Sequence, residues 1–139
     1  MNPLEWMALV MGSAAVGCDL SRRKIPNFLC GFGLAAALLW RCLETGLRGL
    51  AIGLAGALVG FGMLLIFYLM GGMGAGDVKL MASFGAILGP GGTAIAGLLA
   101  AILGGLAAVG WLVWNRRARA IPYGPAIVLG SWLALLARR

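Results

Sequence analysis

The sequence predicts an all-α, polytopic integral membrane bundle of about six transmembrane helices. Two observations carry that expectation. Of the 139 residues, 62% are hydrophobic and only 11% charged, with a mean hydropathy of +0.99, whereas a soluble domain dresses its surface with about 25% charged residues. The apolar residues also fall into long runs separated by charged or glycine- and proline-bearing stretches. A hydrocarbon core about 30 Å thick takes roughly 20 residues of helix, so this length holds about six spans with short loops. The chain is therefore expected to be one membrane-embedded domain over residues 1–139, with no room for a separate soluble one.

The first helix is expected over Leu4–Leu20. Met1-Asn2-Pro3-Leu4-Glu5-Trp6 lacks a basic n-region and a convincing cleavage site, which marks a retained span rather than a cleaved signal. The second helix runs Pro26–Leu43, and the third, Leu50–Met70, is the clearest. The fourth, Asp77–Leu88, is short and stops at the breaker cluster Gly89-Pro90-Gly91-Gly92. The fifth covers Thr93–Trp114 and the sixth Pro125–Leu136. Segments four and six are too short for a comfortable span, which predicts local thinning, a tilted neighbour or a water-filled recess. Gly56-x-x-x-Gly60, Gly85-x-x-x-Gly89 and Gly97-x-x-x-Ala101 are small-residue faces that let helix backbones approach closely in lipid.

The net charge of +7 reads as topology, not nucleic-acid binding, because the basic residues lie between apolar spans and form no continuous face. Loops one, three and five hold Arg22, Arg23, Lys24, Lys79, Arg116, Arg117 and Arg119; the alternate side holds Arg41, Arg48, Arg138 and Arg139. The excess predicts cytoplasmic odd loops and both termini outside. Cys18, Cys30 and Cys42 form no Cys-x-x-Cys pair and the chain has no histidine, so no metal or other cofactor is expected. The cysteines read as small apolar helix residues.

Asp19 and Asp77 are the only aspartates, and the predicted topology puts both at the cytoplasmic face. An ionisable group in so apolar a chain is by default a functional-site hypothesis. Glu5 and Glu44 fall on the other side and read as interfacial. Each aspartate also has a structural reading. Asp77, after Gly74-Ala75-Gly76, suits the N-cap of the fourth helix, a place that also steadies a carboxylate. Asp19 can pair with Arg22 or Arg23 as a solvated salt bridge. As a pair sharing one proton, two carboxylates can deprotonate water and protonate a leaving nitrogen, the two needs of amide hydrolysis. Gly74 and Gly76 let a substrate backbone come close. Lys79 either tunes the pair or snorkels to the interface. A proton- or cation-coupled transporter would also hold two aspartates in a small bundle, but with mid-membrane acids and repeated halves. A noncatalytic assembly subunit is a third reading.

Three ordered stretches narrow the choice: Asp19 with Ile25-Pro26-Asn27, then Gly74-Ala75-Gly76-Asp77-Val78-Lys79-Leu80, then Ile121-Pro122-Tyr123-Gly124-Pro125-Ala126. Together they resemble the type IV prepilin peptidases, membrane aspartyl proteases of the GxGD class, over about residues 10–135. The resemblance implies an aspartic-type endopeptidase of the bacterial inner membrane. Its substrate would be a prepilin or pseudopilin with a basic cytoplasmic leader and a hydrophobic helix; its surroundings would be lipid, with no nucleic acid. It assigns Asp19 and Asp77 as the catalytic pair, Gly74 and Gly76 to the motif loop, and Pro26, Asn27, Lys79 and Pro122 to supporting positions. Larger relatives add an N-terminal segment with paired Cys-x-x-Cys motifs and an N-methyltransferase activity. Without those cysteines the sequence implies no methylation and is similar to short, peptidase-only members found with tight-adherence (Flp-type) pilus systems. Archaeal preflagellin peptidases share the same aspartate arrangement.

Overall fold

The computed structural model describes residues 2–22, 25–114 and 123–137, and every regular element in them is helical. Four helices follow in order: α1 Pro3–Arg22, α2 Asn27–Leu69, α3 Ala75–Trp114 and α4 Gly124–Leu136. α2 and α3 have 43 and 40 residues, but neither is straight. α2 breaks at Thr45 and Gly46 (φ 63°, ψ −144°), and α3 at Gly89 (φ 72°, ψ 173°). These torsions lie in or near a region that essentially only glycine occupies. Beyond each break the chain doubles back. A Cβ on Gly53 would lie 2.8 Å from Leu38 Cδ2, and one on Gly97 3.4 Å from Met81 Cε; a straight helix would hold either pair more than roughly 20 Å apart.

The six predicted helices are thus drawn into four, two of them hairpins with arms 27–44 and 47–69 in α2, and 75–88 and 90–114 in α3. The reversals are tighter than the sequence suggests. Gly91 and Gly92 are helical because Pro90, which has no N–H to leave unpaired, serves as the first residue of the returning arm. Where the chain turns at Gly89, the end of the outgoing arm loses its helical hydrogen bonds. Arg41 supplies them: Nε donates to Ala86 O and Nη2 to Ile87 O, each at 2.7 Å. The sequence treats Arg41 only as a topological charge; its guanidinium is a cap, placed where a cation is favourable. Of the other residues on which the topology rests, Arg23, Lys24, Arg116, Arg117, Arg119, Arg138 and Arg139 lie outside the described residues.

α2 and α3 are long and apolar enough to cross a membrane. Large side chains such as Phe28, Leu39, Leu43 and Leu58 point outward, while Ala8, Ala15, Ala37, Ala57 and Ala96 are buried. The interior mixes these alanines with buried Leu80, Met81, Phe84, Leu88 and Ile127, and large apolar side chains on the outside suit hydrocarbon, where tight packing replaces the hydrophobic drive. The short segments are the interior ones. The arm 75–88, about 21 Å long, buries every residue from 80 to 89, and α4 buries Ala126, Ile127, Val128, Gly130, Ser131 and Ala134. Longer neighbours shelter them, so their ends need not reach both interfaces.

The glycine faces hold this core together. Gly49, Gly53, Gly56 and Gly60 form one buried stripe on α2. Gly56 and Gly85 meet backbone to backbone: a Cβ on Gly56 would lie 2.7 Å from Gly89 Cα, and one on Gly85 3.0 Å from Ala57 Cα. The predicted Gly56/Gly60 and Gly85/Gly89 faces therefore pack on one another. The third pair divides, with Gly97 against Met63 and Ala101 exposed.

Candidate functional site

α1 buries Leu4, Ala8, Met11 and Ala15, one helical stripe, and the next turn of that stripe brings Asp19. Its carboxyl is thereby aimed into the protein rather than onto a solvated surface, and the residue is only 8% exposed. Asp19 Oδ2 is buried, close to the Gly124 backbone. It rests on the start of α4, where a Cβ on Gly124 would come within 2.6 Å of it.

Asp77 arrives from a different helix. α3 begins at Ala75, and the Asp77 N–H donates to Gly74 O at 3.2 Å. Gly74 therefore takes the capping position that the sequence offers to Asp77, because Ala75 and Gly76 are already helical. Asp77 sits in the first turn, still at the electropositive end of the helix. Its Oδ2 lies close to the Gly74 backbone.

Asp19 and Asp77 line a single cavity of about 320 Å³, with Ile25, Asn27, Gly74 and Gly76 among its other walls. The two carboxylates are near enough that the charge on Asp19 acts on Asp77. Gly76 packs on the connection between α1 and α2, where a Cβ would make ordinary contact, 3.4 Å from Ile25 Cβ. The supporting positions tie the walls together. Lys79 Nζ donates to Asn27 Oδ1 at 3.0 Å, joining the first turns of α3 and α2. Pro26, extended (φ −64°, ψ 132°), precedes α2, and its carbonyl accepts the Leu29 N–H at 3.1 Å. Pro122 lies outside the described residues.

Both aspartates are at one end of the bundle, with the Gly46 and Gly89 reversals at the other. Glu5 is in the first turn of α1, and Glu44 is beside the Gly46 reversal. Three neighbours had no site role assigned from the sequence, although Ile25 and Gly124 stand in the stretches that carry the resemblance. Gly124 bears on Asp19, and Ile25 walls the cavity. Ser83 is buried behind Lys79, and its hydroxyl donates to Cys30 O at 2.7 Å. A glycine directly before the helix-starting Pro125 was the available signal for Gly124.

Fold and site define a class: an apolar helical bundle with a carboxylate-lined cavity beside a glycine loop at one end. The chain belongs to the type IV leader peptidase family, whose model matches residues 6–109, a span that includes both aspartates. It is similar to proteins described as prepilin leader peptidase/N-methyltransferase. It is 33% identical over 131 residues to that of Aeromonas salmonicida (strain A449), covering 85% of this chain and 43% of the relative. To that of Bacillus subtilis (strain 168) it is 35% identical over 125 residues, covering 85% and 49%. To that of Xanthomonas campestris pv. campestris it is 32% identical over 133 residues, covering 86% and 45%. The chain spans less than half the length of these relatives. No solved structure gives a significant match.

Proposed function

We propose that this chain is a membrane aspartyl endopeptidase that removes the short cytoplasmic leader from prepilin-like substrates, of the Flp type. The observation that carries the reading is the convergence of Asp19 and Asp77, from separate helices, on one cavity. Its relatives' names join a leader peptidase to an N-methyltransferase, and two carboxylates beside a backbone-accommodating loop suit the first of these.

In the proposed mechanism the pair is one titrating unit that shares a proton. The ionised carboxylate takes a proton from water as the water oxygen attacks the scissile carbonyl carbon, while the protonated carboxyl donates to the carbonyl oxygen. The tetrahedral intermediate then collapses: the C–N bond breaks, the proton gained from water passes to the leaving nitrogen, and as the carbonyl re-forms a hydroxyl proton returns to the carboxylate that first donated it. Nothing becomes covalently attached to the protein. The start of α4 at Gly124 seats the Asp19 carboxyl at this cavity. The Lys79–Asn27 hydrogen bond fixes the cavity wall on which the reacting groups depend.

In this reading the chain crosses the bacterial inner membrane six times, with the cavity at the cytoplasmic face and both termini outside. Acids at helix ends of one face fit a protease better than a transporter, whose coupling acids belong near mid-membrane. The test is leader removal from an Flp-type prepilin by protein in detergent or liposomes, with wild type beside Asp19→Asn and Asp77→Asn. Cleavage by wild type alone supports the pair. Cleavage by both variants sinks the aspartyl mechanism.

A further inference from the structure

We propose that a second, apolar pocket behind the glycine loop receives an apolar side chain of the cleaved peptide, next to the scissile bond, and so selects which sequences are cut. The inference rests on the peptidase reading and adds a specificity site to it. The pocket has a volume of about 210 Å³, and Leu64 and Phe67 of α2, Ala101 and Gly105 of α3, and Ile127 of α4 form its walls.

Its rim ties it to the carboxylates. Gly72 and Met73 directly precede Gly74 of the carboxylate cavity, and Tyr123 directly precedes Gly124, on which the Asp19 carboxyl rests. One continuous segment, residues 72–77, thus walls both spaces, while the start of α4 borders the apolar pocket through Tyr123 and touches the Asp19 carboxyl through Gly124. A peptide bond held at the aspartates has this pocket beside it, within reach of a neighbouring residue's side chain.

Size and lining point to that occupant. The volume is below the roughly 300 Å³ at which pockets for small molecules begin, and it suits one side chain. Phe67, Ala101 and Gly105 are exposed, so the pocket opens sideways between α2 and α3. Gly105 keeps it open: a Cβ there would meet nothing within 4 Å, whereas neighbouring Gly104 is covered by the Tyr123 ring, 2.9 Å from its own Cβ position. A lipid chain is the competing occupant, but it accounts for neither the shared rim nor the shared loop.

The test fills the pocket from two walls, with Gly105→Leu and Ala101→Leu. Each variant and wild type are assayed on an Flp-type prepilin whose residues flanking the cut bond are set in turn to Leu or Ala. Both variants are expected to lower kcat/KM on one Leu substrate by about tenfold or more, the usual reach of a methylene-scale misfit. Cleavage should recover on the matching Ala substrate, which also shows that the variant is folded. Equal losses on Leu and Ala substrates, or no loss on either, overturn the pocket assignment while wild-type cleavage leaves the peptidase reading standing. Failure of wild type to cut any substrate overturns both.

Discussion

Gly124→Ala tests the site with a single methyl group. Gly124 opens α4, and a Cβ there would lie 2.6 Å from Asp19 Oδ2, 3.0 Å from Cγ and 3.3 Å from Cβ. Ordinary contact begins at 3.4 Å, so the carboxylate oxygen must retreat by about 0.8 Å, or α4 must shift by as much. A misplacement near 1 Å at a reacting group costs about a hundredfold in rate. Gly124→Ala is therefore expected to lower kcat/KM for leader removal between about tenfold and a hundredfold, or roughly 1.4–2.7 kcal/mol of transition-state stabilisation. Overpacking by one methyl costs stability at most about 1–3 kcal/mol, so the rate is read on protein shown to be folded at the assay temperature. The control is Gly17→Ala on α1, where a Cβ meets nothing within 4 Å. The assay is leader cleavage in liposomes beside thermal unfolding in detergent. A Gly124→Ala protein that cleaves like wild type would refute the idea that the seat of Asp19 on Gly124 matters to the chemistry.

Three other perturbations have defined outcomes. Asp19→Asn and Asp77→Asn combined should be no slower than either alone in a single-turnover cleavage assay, because residues that act as a unit are non-additive; a further large drop in the double variant would mean separate roles. Arg41→Met removes both donors to Ala86 O and Ile87 O and should cost about 1–3 kcal/mol for each carbonyl left unpaired. That loss reads as a lower Tm in detergent, with Arg41→Lys rescuing only in part because it lacks the forked donors. Gly56→Ala forces a methyl against the Gly89 backbone and should destabilise by about 1–3 kcal/mol, whereas Gly62→Ala, with open space at its Cβ, should not; equal Tm values would contradict the backbone-to-backbone contact.

The six helical segments and the two aspartates were legible because their signals are local: apolar runs, breakers, and two acids among 139 residues. What stayed hidden depends on direction. In a chain facing hydrocarbon, inward and outward residues are both apolar, so hydropathy does not reveal that residues 80–88 are buried all round. The stripe Leu4, Ala8, Met11, Ala15, Asp19 does have a helical period, yet it stands out only once the outward Val10 and Leu20 are known to be exposed. Arg41 near a predicted loop satisfies the topology rule so well that a second role left no trace. Gly124 stands in the third stretch that carries the resemblance, yet only the tertiary approach of α1 sets it against Asp19.

Glycine serves two separate purposes here, and they divide along the bundle. At Gly56, Gly60 and Gly85 it lets α2 and α3 touch backbone to backbone, which fixes the buried arm whose first turn carries Asp77. At Gly124 it leaves room for the Asp19 carboxyl, which lines the carboxylate cavity. A scaffold glycine acts on chemistry only through how much protein is folded, while a site glycine acts on geometry in protein that is folded already. Across alanine variants, activity at Gly56 should therefore fall in step with Tm and recover at lower assay temperature. At Gly124 it should fall out of step and stay low on cooling. If both sites instead track Tm alike, the carboxylate cavity is held no more tightly than the rest of the bundle, and the close seat of Asp19 has no special part in placing the pair.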